Sequence, residues 1–145
     1  MTHEKPRQAA GLRRFRGPWR VEVAEASMLP AIAPGDWLLV DPTTRHWPRR
    51  GSVVVVREPD SGDLAIKRVA AGPGDRVPFA DGYLILAEDE AWLLADADEE
   101  TTRAAGFGEP IDSRQYGPVP LGLLVGRAWF RYGPVRRLGP IKRRG

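Results

Sequence analysis

The chain has 145 residues, of which 42% are hydrophobic and 28% charged, and its formal net charge is +3. These values are typical of one folded globular domain and not of a disordered chain. Because there is no cysteine and the only histidines are His3 and His46, we expect no disulfide bond, no cysteine nucleophile, no metal site and no other cofactor.

Short apolar segments between turn residues make up most of the chain, which has 14 prolines and 16 glycines. The predicted strands are, in chain order, Trp19–Ala24, Trp37–Asp41, Ser52–Arg57, Leu64–Val69, Gly82–Leu86, Trp92–Ala95 and Leu123–Tyr132. The turn residues 59–63 predict a hairpin over residues 52–69. A short helical turn is predicted after Ser27, and an exposed loop over Ala97–Ile111. The expected fold is mainly β, with coiled or barrel-like antiparallel sheets and few short helices.

Basic side chains cluster at both ends of the chain. In the first and last 20 residues they are Lys5, Arg7, Arg13, Arg14, Arg16 and Arg20, and Arg127, Arg131, Arg136, Arg137, Lys142, Arg143 and Arg144. Such clusters can bind nucleic acid or anionic lipid, but no aromatic residues interrupt the charges at the C-terminal end, which favours a solubilising role. We predict a flexible arm over residues 1–18 and a basic tail over residues 135–145. We expect no nucleic-acid partner and only weak contact with anionic lipid.

Membrane anchoring is not predicted from the sequence. No window approaches 18 uninterrupted apolar residues, and the first 20 residues lack the apolar segment of a secretory signal. We therefore expect no integral membrane anchor and a cytoplasmic location.

A serine stands in an unusual position in the segment Ser27-Met28-Leu29-Pro30, shortly before the strand that begins at Trp37. It could be a helix cap, a turn residue or a nucleophile held on a rigid corner. A serine nucleophile needs a base to accept its proton. His3 lies in the N-terminal arm and His46 in a turn-like connection, so a Ser-His-Asp triad is poorly supported.

Lysine is the remaining candidate base, and Lys67 is the one lysine of three that lies outside the basic ends. On a strand it would share a face with Ala65 and Val69, so its amine would leave an apolar surface. Burial lowers the pKa of a lysine and favours the neutral form that can accept a proton. The alternative is an ordinary lysine on the solvent face of a strand.

The ordered set of motifs from about residue 23 to residue 132 resembles the signal-peptidase-I-like serine peptidases, which use a Ser/Lys dyad. The resemblance implies a LexA-like catalytic fold over residues 19–134, with Ser27 as the nucleophile and Lys67 as the general base. It also implies that neighbouring motif residues support the site; these are Met28, Pro30, Arg68, Asp112, Ser113 and Arg114.

Three positions depart from the pattern of that family. Its Gly-Asp-Asn motif is matched here by residues 95–97, Ala-Asp-Ala. A serine that helps to bind the oxyanion is replaced by Glu25, and one that helps to orient the lysine is replaced by Pro110. The oxyanion is therefore expected to rest chiefly on backbone N–H groups, including that of Ser27.

The missing anchor makes the chain similar to a subgroup of small members, the nickel-type superoxide dismutase maturation proteases. This resemblance implies an endopeptidase that removes an N-terminal extension from the dismutase precursor. One alternative is a signal peptidase I that cleaves secretory preproteins, whose anchor is missing because the start codon was misassigned. A second alternative, from another class, is a non-catalytic basic β-module that binds nucleic acid.

Overall fold

The computed structural model describes residues 20–144 and, for the backbone only, residues 12–16. The strands are β1 (Leu12–Arg16), β2 (Arg20–Val23), β3 (Trp37–Asp41), β4 (Val53–Arg57), β5 (Leu64–Ala71), β6 (Arg76–Phe79), β7 (Gly82–Ile85), β8 (Glu90–Leu94), β9 (Val119–Pro120), β10 (Leu124–Gly133) and β11 (Gly139–Pro140). The two α-helices are α1 (Glu99–Ala104) and α2 (Ser113–Tyr116), and single 3₁₀ turns span Leu121–Leu123 and Val135–Arg137. Within these residues no helix has the length and apolar composition that a bilayer span requires.

One antiparallel sheet of nine strands forms the body of the molecule. Its order is β1-β2-β3-β10-β4-β5-β8-β9, and β11 pairs with β10. The long strand β10 pairs with β3 on one side and β4 on the other, and irregular register along both ladders lets it bend. Strands β6 and β7 form a separate two-stranded hairpin. The prediction of a mainly β fold with antiparallel sheets and few short helices is confirmed.

The hairpin of β4 and β5 lies between two apolar clusters. Alternate valines of β4 enter different clusters, since Val53 and Val55 pack with Ile66, whereas Val54 and Val56 pack with Val69. Because both faces are covered, this strand is a continuous valine run and not an alternating one. Each buried valine contributes roughly 1.5–3 kcal/mol of transfer free energy, so the hairpin is firmly held.

The hairpin predicted over residues 52–69 is confirmed. Glu58 N–H donates to Asp63 O at 2.8 Å, and Gly62 N–H donates to Glu58 O at 2.8 Å. Gly62 has a φ of 75°, which a glycine adopts without strain. Val54 lies directly opposite Lys67, and Val56 lies opposite Ala65. Lys67 therefore shares its face of the sheet with these two valines.

Several predicted boundaries change in the structure. The strand Trp37–Asp41 is as predicted, and the second strand of the hairpin extends to Ala71. The strand predicted at Trp92–Ala95 runs instead over Glu90–Leu94. The exposed loop predicted over Ala97–Ile111 is correct only in part, because α1 forms over Glu99–Ala104. Asp98 caps α1, since its Oδ1 accepts from Thr101 N–H at 2.8 Å.

The C-terminal segment packs against the sheet up to Arg144. Ile141 N–H donates to Trp129 O at 3.0 Å, and Arg144 N–H donates to Gly51 O at 3.1 Å. Ile141 also packs against the apolar cluster that contains Val53. These contacts fall within the residues predicted as a basic tail. The predicted arm over residues 1–18 lies mostly outside the described residues.

Candidate active site

Ser27 lies in a tight turn directly after β2. Leu29 N–H donates to Ala26 O at 3.1 Å, and Ile32 N–H donates to Met28 O at 2.9 Å, so a single helical-type turn follows the serine as predicted. Ser27 is 4% exposed, and Met28 is fully buried in the core beside it. Pro30 lies on the exposed side of the turn. The buried Met28 thus anchors a corner that fixes the backbone of Ser27.

Lys67 lies on β5 and is 3% exposed. Its Nζ donates to Ile66 O at 3.3 Å, the one hydrogen bond that this side chain makes within the described residues. Burial lowers the pKa of Lys67 below its ordinary value of 10.5, and the charges of Glu58, Glu25 and Asp112 oppose this change in part. The expectation that the lysine leaves an apolar face is confirmed by the burial of Ala65 and Val69.

Two half-buried glutamates lie near the Lys67 amine. Glu58 follows β4 directly, and its Oε1 accepts from Ser61 Oγ at 3.1 Å. Glu25 lies two residues before Ser27. Burial raises the pKa of both carboxyls, and the positive charge of Lys67 acts in the opposite direction. Because Glu25 belongs to the segment that leads into the Ser27 turn and its charge acts on Lys67, this turn and β5 lie on the same side of the molecule.

Arg68, the neighbour of Lys67 on β5, makes a buried ion pair with Asp96. Its Nε and Nη2 donate to Asp96 Oδ1 and Oδ2 at 2.8 and 2.7 Å. The Nη1 of Arg68 donates to Gly51 O at 2.8 Å and to Lys142 O at 3.1 Å. This planar arrangement uses the fixed geometry of the guanidinium group. Arg68 thereby joins β5, the loop before β4 and the C-terminal segment.

The motif Asp112-Ser113-Arg114 forms the start of α2. Asp112 caps the helix by accepting from Arg114 N–H at 3.0 Å, and its other oxygen accepts from Ala95 N–H at 2.8 Å. Arg114 Nη2 pairs with the same carboxylate at 2.7 Å. Burial alone would raise the pKa of Asp112, but the hydrogen bonds from Arg114 and Ala95 outweigh it and hold that pKa below 3.8. Ser113 Oγ accepts from Leu93 N–H at 2.9 Å.

Residues 95–97 connect these motifs. Ala95 N–H binds Asp112, Asp96 pairs with Arg68, and Ala97 N–H donates to Ser27 O at 3.0 Å. The short segment therefore bonds to the serine turn, to β5 and to α2 at once. Although its sequence departs from Gly-Asp-Asn at two positions, it uses backbone N–H groups at both of them, which any residue except proline provides.

Sequence reasoning missed two polar groups, Glu58 and Tyr116. Glu58 lies just before the predicted turn residues 59–63 and was given no role, but its charge acts on the pKa of Lys67. The hydroxyl of Tyr116 is buried without a hydrogen-bond partner in the part of the chain that the structure describes. Burial raises the pKa of Tyr116, and the charges of Glu58 and Asp112 act in the same direction. The partial burial of Tyr116 follows from its contact with the cluster of Val54 and Val56.

Other candidate chemistry is sparse in the described residues. They contain no group of three or more His, Cys, Asp or Glu side chains that could hold a metal ion. His46 is exposed in the connection between β3 and β4, and His3 lies outside the described residues. The groups that stand out are thus the buried serine and the buried lysine.

Comparison with known proteins decides the family. The model of the family "Signal peptidase, peptidase S26" matches residues 12–106. The chain belongs to this family. It is a serine-type peptidase, as the motifs predicted, and this identification disfavours the non-catalytic nucleic-acid-binding module. The matched range of this S26 peptidase includes Ser27, Lys67, Arg68 and Asp96 but ends before Asp112.

Named relatives of this S26 peptidase agree with the family. The chain is 34% identical over 125 residues to mitochondrial inner membrane protease subunit 1 of Xenopus tropicalis, which covers 80% of this chain and 70% of the relative. It is 30% identical to signal peptidase I of Leptolyngbya laminosa over 157 residues, and this alignment covers 92% of the chain and 77% of the relative. A probable thylakoidal processing peptidase 2 of Arabidopsis thaliana is 26% identical over 143 residues, covering 82% of this chain and 39% of that protein.

Proposed function

We propose that Ser27 and Lys67 are the catalytic dyad of this peptidase and that it removes an N-terminal extension from a precursor protein. The observation that carries the dyad is the burial of Lys67 on an apolar strand face, with a lowered pKa, on the side of the molecule to which Glu25 brings the Ser27 turn. A lysine in ordinary solvent would be protonated near pH 7 and could not accept a proton.

In the proposed reaction, the neutral Nζ of Lys67 takes the proton of Ser27 Oγ as this oxygen attacks the scissile carbonyl carbon. Backbone N–H groups, including that of Ser27, stabilise the oxyanion. When the C–N bond breaks, protonated Lys67 gives its proton to the leaving amine, and the N-terminal extension remains as an ester on Ser27. Lys67 then takes a proton from a water molecule as the water oxygen attacks the ester carbon. The bond between that carbon and Ser27 Oγ breaks, Lys67 returns the proton to Oγ, and the extension leaves with a new C-terminal carboxyl group.

The supporting residues hold Ser27 and Lys67 in position. Arg68 and Asp96 hold β5 beside Lys67, and Ala97 holds the carbonyl of Ser27. Asp112, which Arg114 keeps ionised, adds a negative charge that favours the protonated form of Lys67 during the reaction. Met28 fixes the serine turn from the core side.

The first candidate substrate is the precursor of nickel-type superoxide dismutase. This choice is supported by the general likeness of the chain to the small maturation proteases. A cytoplasmic precursor as substrate would also favour a cytoplasmic location for the peptidase. The second candidate is signal peptidase activity on secretory preproteins, which the 30% identity to a signal peptidase I favours.

One experiment separates these substrates and tests the dyad. The purified protein is incubated with the dismutase precursor and with a secretory preprotein, and the new N-terminus is read by mass spectrometry. Cleavage of the dismutase precursor just before the first residue of the mature protein supports the dismutase precursor as substrate. If only the secretory preprotein is cleaved, signal peptidase activity replaces this proposal. Ser27→Ala should abolish cleavage because it removes the nucleophile. Lys67→Arg should abolish it as well, because guanidinium does not release its proton near neutral pH and cannot act as a base. An active Lys67→Arg protein would contradict the dyad.

A further inference from the structure

A cavity of about 380 Å³ opens between the segment before β4, the middle of β10 and the C-terminal segment. Its volume lies within the range of about 300–1,000 Å³ that small-molecule sites occupy. Neither Ser27 nor Lys67 borders it. It is therefore separate from the candidate active site.

Three arginines from three segments border this cavity: Arg49, Arg127 and Arg143. No aspartate or glutamate is among its lining residues. Within residues 20–144, none of these three guanidinium groups forms an ion pair or a side-chain hydrogen bond. Arg127 lies across the ladder from Asp41, whose carboxylate accepts from Thr43 N–H and Oγ1. The hydrogen bonds from Thr43 and, less strongly, the charge of Arg127 lower the pKa of Asp41, but the side chains of Arg127 and Asp41 form no ion pair within residues 20–144.

Other arginines of the chain contrast with these three. Those that pair with a carboxylate within 3.5 Å are Arg68, Arg103, Arg114, Arg131 and Arg137. Like charges that converge on one concave surface repel each other, and a bound anion relieves that repulsion. The electrostatics of the cavity thus favour an anionic ligand.

The size and lining of the cavity indicate what kind of anion it binds. Guanidinium groups match phosphate oxygens in paired hydrogen bonds, and three of them suit a phosphate dianion better than a carboxylate with one charge. The cavity is larger than a phosphate ion, and Val53, Ala128 and Ile141 add apolar walls. We propose that this cavity binds a phosphate ester, with Arg49, Arg127 and Arg143 on the phosphate and the apolar walls on its organic group. The proposal goes beyond the peptidase activity and does not depend on the dyad.

The phosphate ester could be a free metabolite or a lipid headgroup, and the test has one arm for each source. Calorimetry of the full chain with glycerol 3-phosphate measures the free ester, with glycerol as the uncharged control. Sedimentation with phosphatidylcholine vesicles, with and without phosphatidic acid, measures the headgroup. The variants are Arg127→Gln and Arg143→Gln, and the matched control is Arg136→Gln, an exposed arginine outside the cavity. Circular dichroism verifies that all three variants are folded.

We expect each cavity variant to weaken binding about tenfold, because each removes a charge-assisted hydrogen bond. Arg136→Gln should bind as the unchanged protein does, and added salt should weaken binding in every case. Binding of glycerol 3-phosphate with this pattern supports a free ester, and the same pattern on vesicles alone supports a lipid headgroup. The proposal is overturned if neither probe binds, or if Arg136→Gln weakens binding as much as the cavity variants do.

Discussion

Replacing Asp96 with alanine should destabilise the fold strongly, because it leaves the Arg68 guanidinium buried without its counter-ion. The two side chains are only 9% and 5% exposed, and two hydrogen bonds of 2.8 and 2.7 Å join them. After the substitution, Arg68 keeps Gly51 O and Lys142 O as acceptors, but among residues 20–144 it has no other carboxylate partner. Breaking a buried pair in this way costs about 3–5 kcal/mol of the free energy of unfolding.

Urea unfolding at pH 7 measures this loss, and thermal unfolding should show a fall in Tm of roughly 10–15 °C. The matched control is Glu99→Ala, which breaks the exposed pair with Arg103, where the side chains are 51% and 73% exposed. That loss should stay below about 1 kcal/mol. If Asp96→Ala is no less stable than Glu99→Ala, the buried pair does not hold β5 as described.

Three other variants test the candidate base, a charge that acts on it and the histidine alternative. Glu58→Gln removes a negative charge that raises the pKa of Lys67, so that pKa should fall and the acidic limb of the kcat/KM profile should move to lower pH; an unmoved limb would separate Glu58 from the base. Lys67→Met should abolish peptidase activity yet raise the free energy of unfolding at pH 7 by roughly 1–2 kcal/mol, measured in urea, because the unfolded chain protonates this amine more readily than the folded one. The gain should shrink as the pH rises toward 10.5, and a destabilised variant would contradict the burial of the amine. His3→Ala combined with His46→Ala should keep kcat within about tenfold in a peptide-cleavage assay, and a larger loss would favour a histidine base.

Local patterns were sufficient to predict the β elements around the site. The run Trp37–Asp41 and the turn residues before Asp63 predicted one strand and one hairpin, because apolar runs and turn chemistry act over a few residues. The alternation of Ala65, Lys67 and Val69 likewise predicted which face the lysine occupies. The order of the motifs along the chain suggested the family, and the S26 match confirmed it.

Long-range contacts were not predictable from such patterns. Lys142 O is bound by Arg68 across 74 positions of the chain, so a segment of basic composition packs against the sheet for reasons outside its own sequence. Glu58 follows β4 directly, and its effect on the pKa of Lys67 depends on how the hairpin folds. For α1 a signal was present, because Asp98 is followed by two glutamates, but the nearby glycines favoured a loop.

Titration of the Lys67 side chain by NMR shows whether its pKa is low enough for a neutral lysine base, and it needs no substrate. The chain has only three lysines, so selective ¹³Cε labelling gives three signals, and Lys67→Arg identifies the one that belongs to Lys67. The Lys67 signal should titrate below 10.5, because burial disfavours the charged amine. A Lys67 signal that titrates at or above 10.5 would contradict a neutral lysine base.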